Sequence, residues 1–132
     1  LVLSKSCKYM LRNGGGRLVF TSSVAAGVGL TNHEAISAAK GGVEAMARSA
    51  AATYSKRGIR VNTVAPGLTD TRLASPITKT ESSKEAAVSK IPLNRINEPG
   101  EIAKAIQWLL TEAPDNLTGQ VLNLDGGMSS LR

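Results

Sequence analysis

Arg17-Leu18-Val19-Phe20-Thr21, the span Ala35 to Tyr54, and Ile59-Arg60-Val61-Asn62-Thr63-Val64 decide the architecture. The first and last are apolar runs of strand length, the pattern of parallel strands buried on both faces. The span between them reads as a helix, and its eight alanines and two glycines make it small-sided and able to approach a sheet closely. Thr31-Asn32-His33-Glu34 stands before it in capping-box order, so Thr31 and Glu34 are expected to satisfy each other's exposed amides. Lys56 and Arg57 complement the helix's negative end, and Gly58 stands where a left-handed C′ residue belongs.

Working outward, Leu3 to Leu11 reads as a helix, ended by Asn13-Gly14-Gly15-Gly16, residues that tolerate positive φ. Ala65-Pro66-Gly67 closes the second strand. Thr69 to Lys90 is polar and mixed and reads as a mobile loop of weak helical character. Pro99 suits the first position of a further helix, with Glu98 and Glu101 at its positive end. Ile102, Ile106, Leu109 and Leu110 then form one apolar stripe. Gly119 precedes a third strand, Gln120 to Leu124, which turns at Asp125-Gly126-Gly127. Strands separated by helices predict an α/β layer, a parallel sheet with right-handed crossovers and two exposed edges.

The chain has 132 residues, enough for one modest domain, and its 42% apolar and 20% charged content is that of a globular protein. No apolar run reaches membrane-spanning length, so no membrane partner is expected. Cys7 is the single cysteine, which excludes an internal disulfide, leaves no cysteine-based metal site and points to a reducing, cytoplasmic compartment. The net charge of +6 permits nucleic acid, but basic residues such as Arg17, Arg48 and Arg60 are interspersed with acidic ones. They read as solvated helix faces, and only 3% of residues are aromatic, too few for base stacking. The chain opens at Leu1 rather than Met, which suggests a fragment or a processed product.

Chemistry concentrates around Thr21-Ser22-Ser23 and Ala35-Ile36-Ser37-Ala38-Ala39-Lys40. This pair of segments closely resembles the active-site motif of the short-chain dehydrogenase/reductase family, a Ser, then a Tyr thirteen residues on, then a Lys four further. Ser23 and Lys40 stand at that spacing, and Ile36 occupies the Tyr position. Arg60 to Gly67 is similar to the family's strand-to-loop segment beside the nicotinamide, with Thr69 and Thr71 following as cofactor contacts. Gly119-Gln120-Val121-Leu122 and Asp125-Gly126-Gly127 resemble its closing strand and tail.

The resemblance implies a partial Rossmann-like doubly wound sheet, the last three strands and their helices, and makes residues 1–132 the C-terminal half of the family's domain. It implies NAD or NADP as cofactor, a small carbonyl or alcohol as substrate, and a homo-oligomer. In the family the Lys holds the nicotinamide ribose and lowers the pKa of the Tyr, the Ser orients the reacting oxygen, and the Tyr exchanges the proton. Ser23 and Lys40 are thus the catalytic candidates, and Lys40, Pro66, Gly67, Thr69 and Thr71 the cofactor-binding ones. The family's glycine-rich phosphate turn has no counterpart, because Gly14-Gly15-Gly16 precedes a strand and not a helix. His33 shares a helix face with Ile36 and Lys40 but lies about 10 Å along the axis from Lys40, too far to replace the Tyr directly. Two readings remain open, an oxidoreductase of weakened or altered catalysis and a non-catalytic scaffold that binds dinucleotide or dimerises.

Overall fold

The computed structural model describes residues 1–131. Its elements are α1 (Val2–Arg12), β1 (Gly16–Thr21), α2 (Glu34–Tyr54), β2 (Ile59–Pro66), α3 (Ser75–Thr78), α4 (Glu81–Val88), α5 (Pro99–Thr111) and β3 (Val121–Leu124). The strands form one sheet in the order β1-β2-β3, parallel throughout, with Leu18 opposite Val61 and Val64 opposite Leu122. The expected parallel α/β layer is therefore the observed one, and β1 and β3 are its two edges.

Side-chain alternation along β2 sends successive residues to opposite faces, and each face has its own core. Ile59 and Val61 pack with Cys7 of α1 and with Ala47, Ala50 and Ala51 of α2. The small alanines let α2 lie close on the sheet. Val64 packs on the other face with Leu109 and Ala113, at the end of α5 and just beyond it. Burial in the first core raises the Cys7 thiol pKa, since an apolar surround disfavours the thiolate.

This arrangement corrects one expectation. Both crossovers step the same way across the sheet, yet α2 covers one face and α5 the other, so the two connections have opposite hand. They cannot both be right-handed. The second is long enough, residues 67–120, to carry α3 and α4 as well as α5. Those helices also correct the reading of Thr69 to Lys90 as a mobile loop. Thr80 caps α4 by accepting from the Ser83 amide at 3.2 Å, a signal the short segment's weak periodicity hid.

Other local expectations divide. Gly58 has the left-handed conformation predicted for it (φ 77°), and Pro99 opens α5, with the Glu98 amide donating to Glu101 at 2.8 Å. The Thr31–Glu34 capping box does not form. His33 is the N-cap residue, and its ring bonds the Thr31 carbonyl instead. Leu110, expected in the buried stripe of α5, is 41% exposed. Arg17 and Arg60 are not on helix faces at all. They pair across β1 and β2, where Arg17 reaches the Leu109 and Ala113 carbonyls and Asp115, and Arg60 reaches the Ser55 and Asp115 carbonyls.

Two neighbours in β2 have opposite polar accounts. Asn62 is buried and satisfied, donating to the Leu117 carbonyl at 3.0 Å and accepting from the Gln120 amide at 3.1 Å. Thr63 is fully buried, and among the described residues its hydroxyl has no hydrogen-bond partner. Asn62→Ala should therefore cost about 2 kcal/mol, because it removes two hydrogen bonds and leaves a void at a buried position, whereas Thr63→Val should gain roughly 1 kcal/mol by removing an unmet hydroxyl. Urea unfolding of both variants checks the pair, and equal signs would contradict this polar account.

Candidate active site

In a βαβ unit the helix runs antiparallel to its strands, so the first turns of α2 must lie at the carboxyl end of β1. This brings Ile36 and Lys40 back to Ser22 and Ser23. The Lys40 ammonium donates to the Thr21 carbonyl, the last residue of β1, at 3.0 Å. Ser22 extends the ladder, its amide donating to the Val64 carbonyl at 2.7 Å. Its hydroxyl lies 2.8 Å from a Glu44 carboxylate oxygen and 3.2 Å from the Lys40 carbonyl. Ser23 caps a short turn at Val24–Ala26, where its hydroxyl oxygen accepts from the Ala25 amide at 3.2 Å. A hydroxyl that accepts one bond keeps its own proton free to donate.

Ile36 stands one turn before Lys40, about 6 Å along the axis, and is 39% exposed. His33 precedes it by a further turn. Its Nδ1 lies 2.7 Å from the Thr31 carbonyl, so this nitrogen carries the proton and donates.

At the end of β2, the Gly67 amide donates to the Leu124 carbonyl of β3 at 2.9 Å. A side chain at Gly67 would collide with Asp125, whose Cα and Cβ lie 2.9 Å from the position of its Cβ. Buried Asp125 holds the closing turn by accepting from the Gly127 and Ser129 amides. Thr69 donates back to the Gly67 carbonyl at 3.0 Å. Thr71 is exposed, its carbonyl taken by the Ala74 amide.

The structure thus brings Ser23, Lys40, Pro66, Gly67 and Thr69 to the carboxyl ends of the strands, and Ile36 with them. Thr71 lies further out. Asn97 is a residue that sequence reasoning missed. It ties the 67–70 loop in place, donating to the Leu124 carbonyl at 2.6 Å and exchanging backbone bonds with Leu68 and Asp70. Glu44 was missed as well, since a carboxylate one turn past Lys40 carries no motif, and Ser22 stood in the motif segment without a role of its own. Gly14-Gly15-Gly16 lies at the opposite end of the sheet, before β1, where Gly15 packs against the Gly58 backbone. It is a turn and not a phosphate cradle.

Open α/β sheets bind ligands at the carboxyl ends of their strands, and the donors gathered here suit oxygen ligands. A lysine ammonium and a serine hydroxyl fit ribose hydroxyls and a carbonyl, the nicotinamide–ribose part of a dinucleotide. The N-terminus of α2 lies at this end, but Asn32 and His33 lead into it rather than a glycine turn of the kind that cradles a pyrophosphate.

A family profile described as Enoyl-(Acyl carrier protein) reductase matches residues 1–129. The cis-4-hydroxycyclohexanecarboxylate dehydrogenase of Sinomonas cyclohexanicum is 40% identical over 124 residues, which cover 94% of this chain and 49% of that protein. A solved short-chain type dehydrogenase/reductase from Mycobacterium ulcerans superposes with a TM-score of 0.93 at 34% identity, covering 99% of this chain and 48% of that one. A gluconate 5-dehydrogenase from Burkholderia cenocepacia J2315, solved with NADP and tartrate, gives a TM-score of 0.94 at 25% identity, with 99% and 51% covered. The chain spans about half the length of the relatives it matches.

Beside the site, Arg95 grips Glu101 through both guanidinium nitrogens, at 2.6 and 2.9 Å. That contact, followed by the bond from the Glu98 amide, lowers the Glu101 pKa to about 2. A depressed carboxylate stabilises the fold above its ordinary pKa, and the contribution fades as pH falls toward about 2. An NMR titration of the Glu101 carboxyl should find its midpoint well below those of free glutamates, and Arg95→Ala should move it up. A midpoint in the ordinary range in the unaltered chain would break this assignment.

Proposed function

The chain belongs to the short-chain dehydrogenase/reductase family, and from that premise we propose that it corresponds to the C-terminal half of an NAD(P)-dependent oxidoreductase domain with an altered proton step. The observation that carries the proposal is that Lys40 meets the carboxyl end of β1 twice, its ammonium at the Thr21 carbonyl and its backbone carbonyl at the Ser22 hydroxyl. The cofactor supplies the hydride acceptor or donor. Lys40 has three donors, of which the Thr21 carbonyl uses one, so it is equipped to bond ribose hydroxyls while staying anchored. Ser23 donates its free proton to the oxygen of a small carbonyl or alcohol. Pro66, Gly67, Thr69 and Thr71 would hold the nicotinamide side.

Ile36 has no proton to exchange. Water would then supply the proton in carbonyl reduction and take it in alcohol oxidation, and the reaction forgoes a contribution of roughly 10²–10⁴ in rate. The lone buried thiol of Cys7 suits a reducing, cytoplasmic setting, and no described helix is long and apolar enough to cross a membrane. A second copy of the chain is the expected partner, through the small outer face of α2, where Ala38, Ala39 and Ala45 are exposed.

Calorimetric titration with NADH and NADPH separately tests the cofactor reading, which predicts binding of at least one. Ile36→Tyr tests the proton step and should raise reduction of a generic aldehyde or ketone by about 10²-fold or more. Binding with no gain from Ile36→Tyr would favour a non-catalytic dinucleotide-binding scaffold. No binding by the folded chain would remove the cofactor reading.

A further inference from the structure

We infer that Glu44 is a positioning residue, which holds the Ser22–Ser23 turn in the geometry the proposed site requires; the inference rests on the oxidoreductase reading above.

The argument begins with one proton and two acceptors. The Ser22 hydroxyl has a single proton, and it faces the Glu44 carboxylate at 2.8 Å and the Lys40 carbonyl at 3.2 Å. A carboxylate is the stronger acceptor and here the nearer one, so the proton goes to Glu44. Ser22 is 4% exposed and the Glu44 side chain 13%, so water competes poorly for either group. The other charged group facing Glu44 is Arg48, one helical turn on, at 3.7 Å and half exposed, a loose contact beside the serine bond.

The bond matters because of what comes next in the chain. Ser23 follows directly in extended conformation (φ −158°, ψ 150°), so the Ser22–Glu44 bond fixes the backbone from which its side chain projects, and Ser23 lines one cleft with Glu44 and Arg48. Lys40 and Glu44 are four apart on one face of α2 and meet consecutive residues of the chain, the Thr21 carbonyl and the Ser22 hydroxyl. Together they clamp α2 to the end of β1 at two points. With two Lys40 donors left for a ribose, the Ser22–Glu44 bond supplies the second point of the clamp.

The test compares the unaltered chain with Glu44→Ala, Glu44→Gln, Ser22→Ala and the Glu44→Ala/Ser22→Ala double variant, all with NADH and NADPH as probes. Glu44→Ala and Ser22→Ala should each weaken binding of the preferred nucleotide about tenfold, with the double variant no worse than either. Glu44→Gln keeps an acceptor for Ser22 and should bind nearly as tightly as the unaltered chain. Hydrogen exchange at the Ala25 and Ala26 amides, which bond Ser23, should accelerate about tenfold in Glu44→Ala while the Val61 and Val64 amides of β2 keep their protection. A Glu44→Ala variant that loses thermal stability but binds nucleotide as before has only a structural glutamate, and the inference falls. It falls equally if the two single effects add, or if loop exchange is unchanged. If the unaltered chain binds neither nucleotide, the oxidoreductase reading fails by itself, and the loop amides alone decide whether Glu44 holds the turn.

Discussion

Everything in this structure depends on β2, the one strand hydrogen-bonded on both sides. A parallel strand in that position cannot be half wet. Its backbone pairs with β1 and β3, and its side chains must be buried above and below. From Ile59 to Ala65, Arg60 alone is not fully buried. That requirement forces helices onto both faces and divides the core into two, α1 and α2 over one face and the end of α5 over the other. The opposite hand of the two crossovers follows from the same demand. A second helix on the α2 side would have left Val64 facing water.

Burial of the strand leaves its ends to be solved by polar chemistry, and the two ends are solved differently. At the amino end of the sheet, Arg17, Arg60 and Asn62 bond carbonyls and an amide in the connection after α5, tying it to β1 and β2. These are fixed, mostly inward-facing contacts. At the carboxyl end, Asn97 and Asp125 pin the loops after β2 and β3, but the Lys40 ammonium and the Ser23 proton are left with capacity to spare. A parallel sheet thus has one sealed end and one open end. The candidate site occupies the open one because the chain's reversals there put polar side chains of α2 beside the ends of the strands.

The features legible from sequence were those set by short-range rules. Strand-length apolar runs gave the sheet, Gly58 and Pro99 gave two helix boundaries, and the spacing of Ser23, Ile36 and Lys40 singled out residues that the fold places at the carboxyl end of β1. The features that were not legible depend on residues far apart. Nothing local distinguishes Arg17 in a strand from an arginine on a helix face, because its partners lie more than ninety positions away. The Thr31–Glu34 pattern satisfied the capping rule, but Asn32 takes a left-handed conformation (φ 61°) and the helix begins after His33. Leu110 fitted a stripe whose width depends on how α5 lies on the sheet, which buries its neighbour Leu109 instead, and the hand of the long crossover is a property of the whole layer. Glu44 is the most instructive miss. Its role exists only because Ser22 is buried beneath it.

Lys40 shows why the presence of motif residues does not by itself establish chemistry. Its bond to the Thr21 carbonyl ties α2 to β1, and a scaffold would gain from that tether as much as an enzyme would. Ser23 likewise caps a turn, a function independent of any substrate. Each residue therefore has a structural reason to be where it is, and neither separates the two readings. Ile36 does. An isoleucine more than one-third exposed on the first turn of a helix contributes little to the core, so packing gives no strong reason for it. A tyrosine there would have had room for its ring and a lysine one turn away to lower its pKa. The question of catalysis in this chain is thus concentrated in one side chain, while the surrounding backbone, tethers and donors are compatible with either answer.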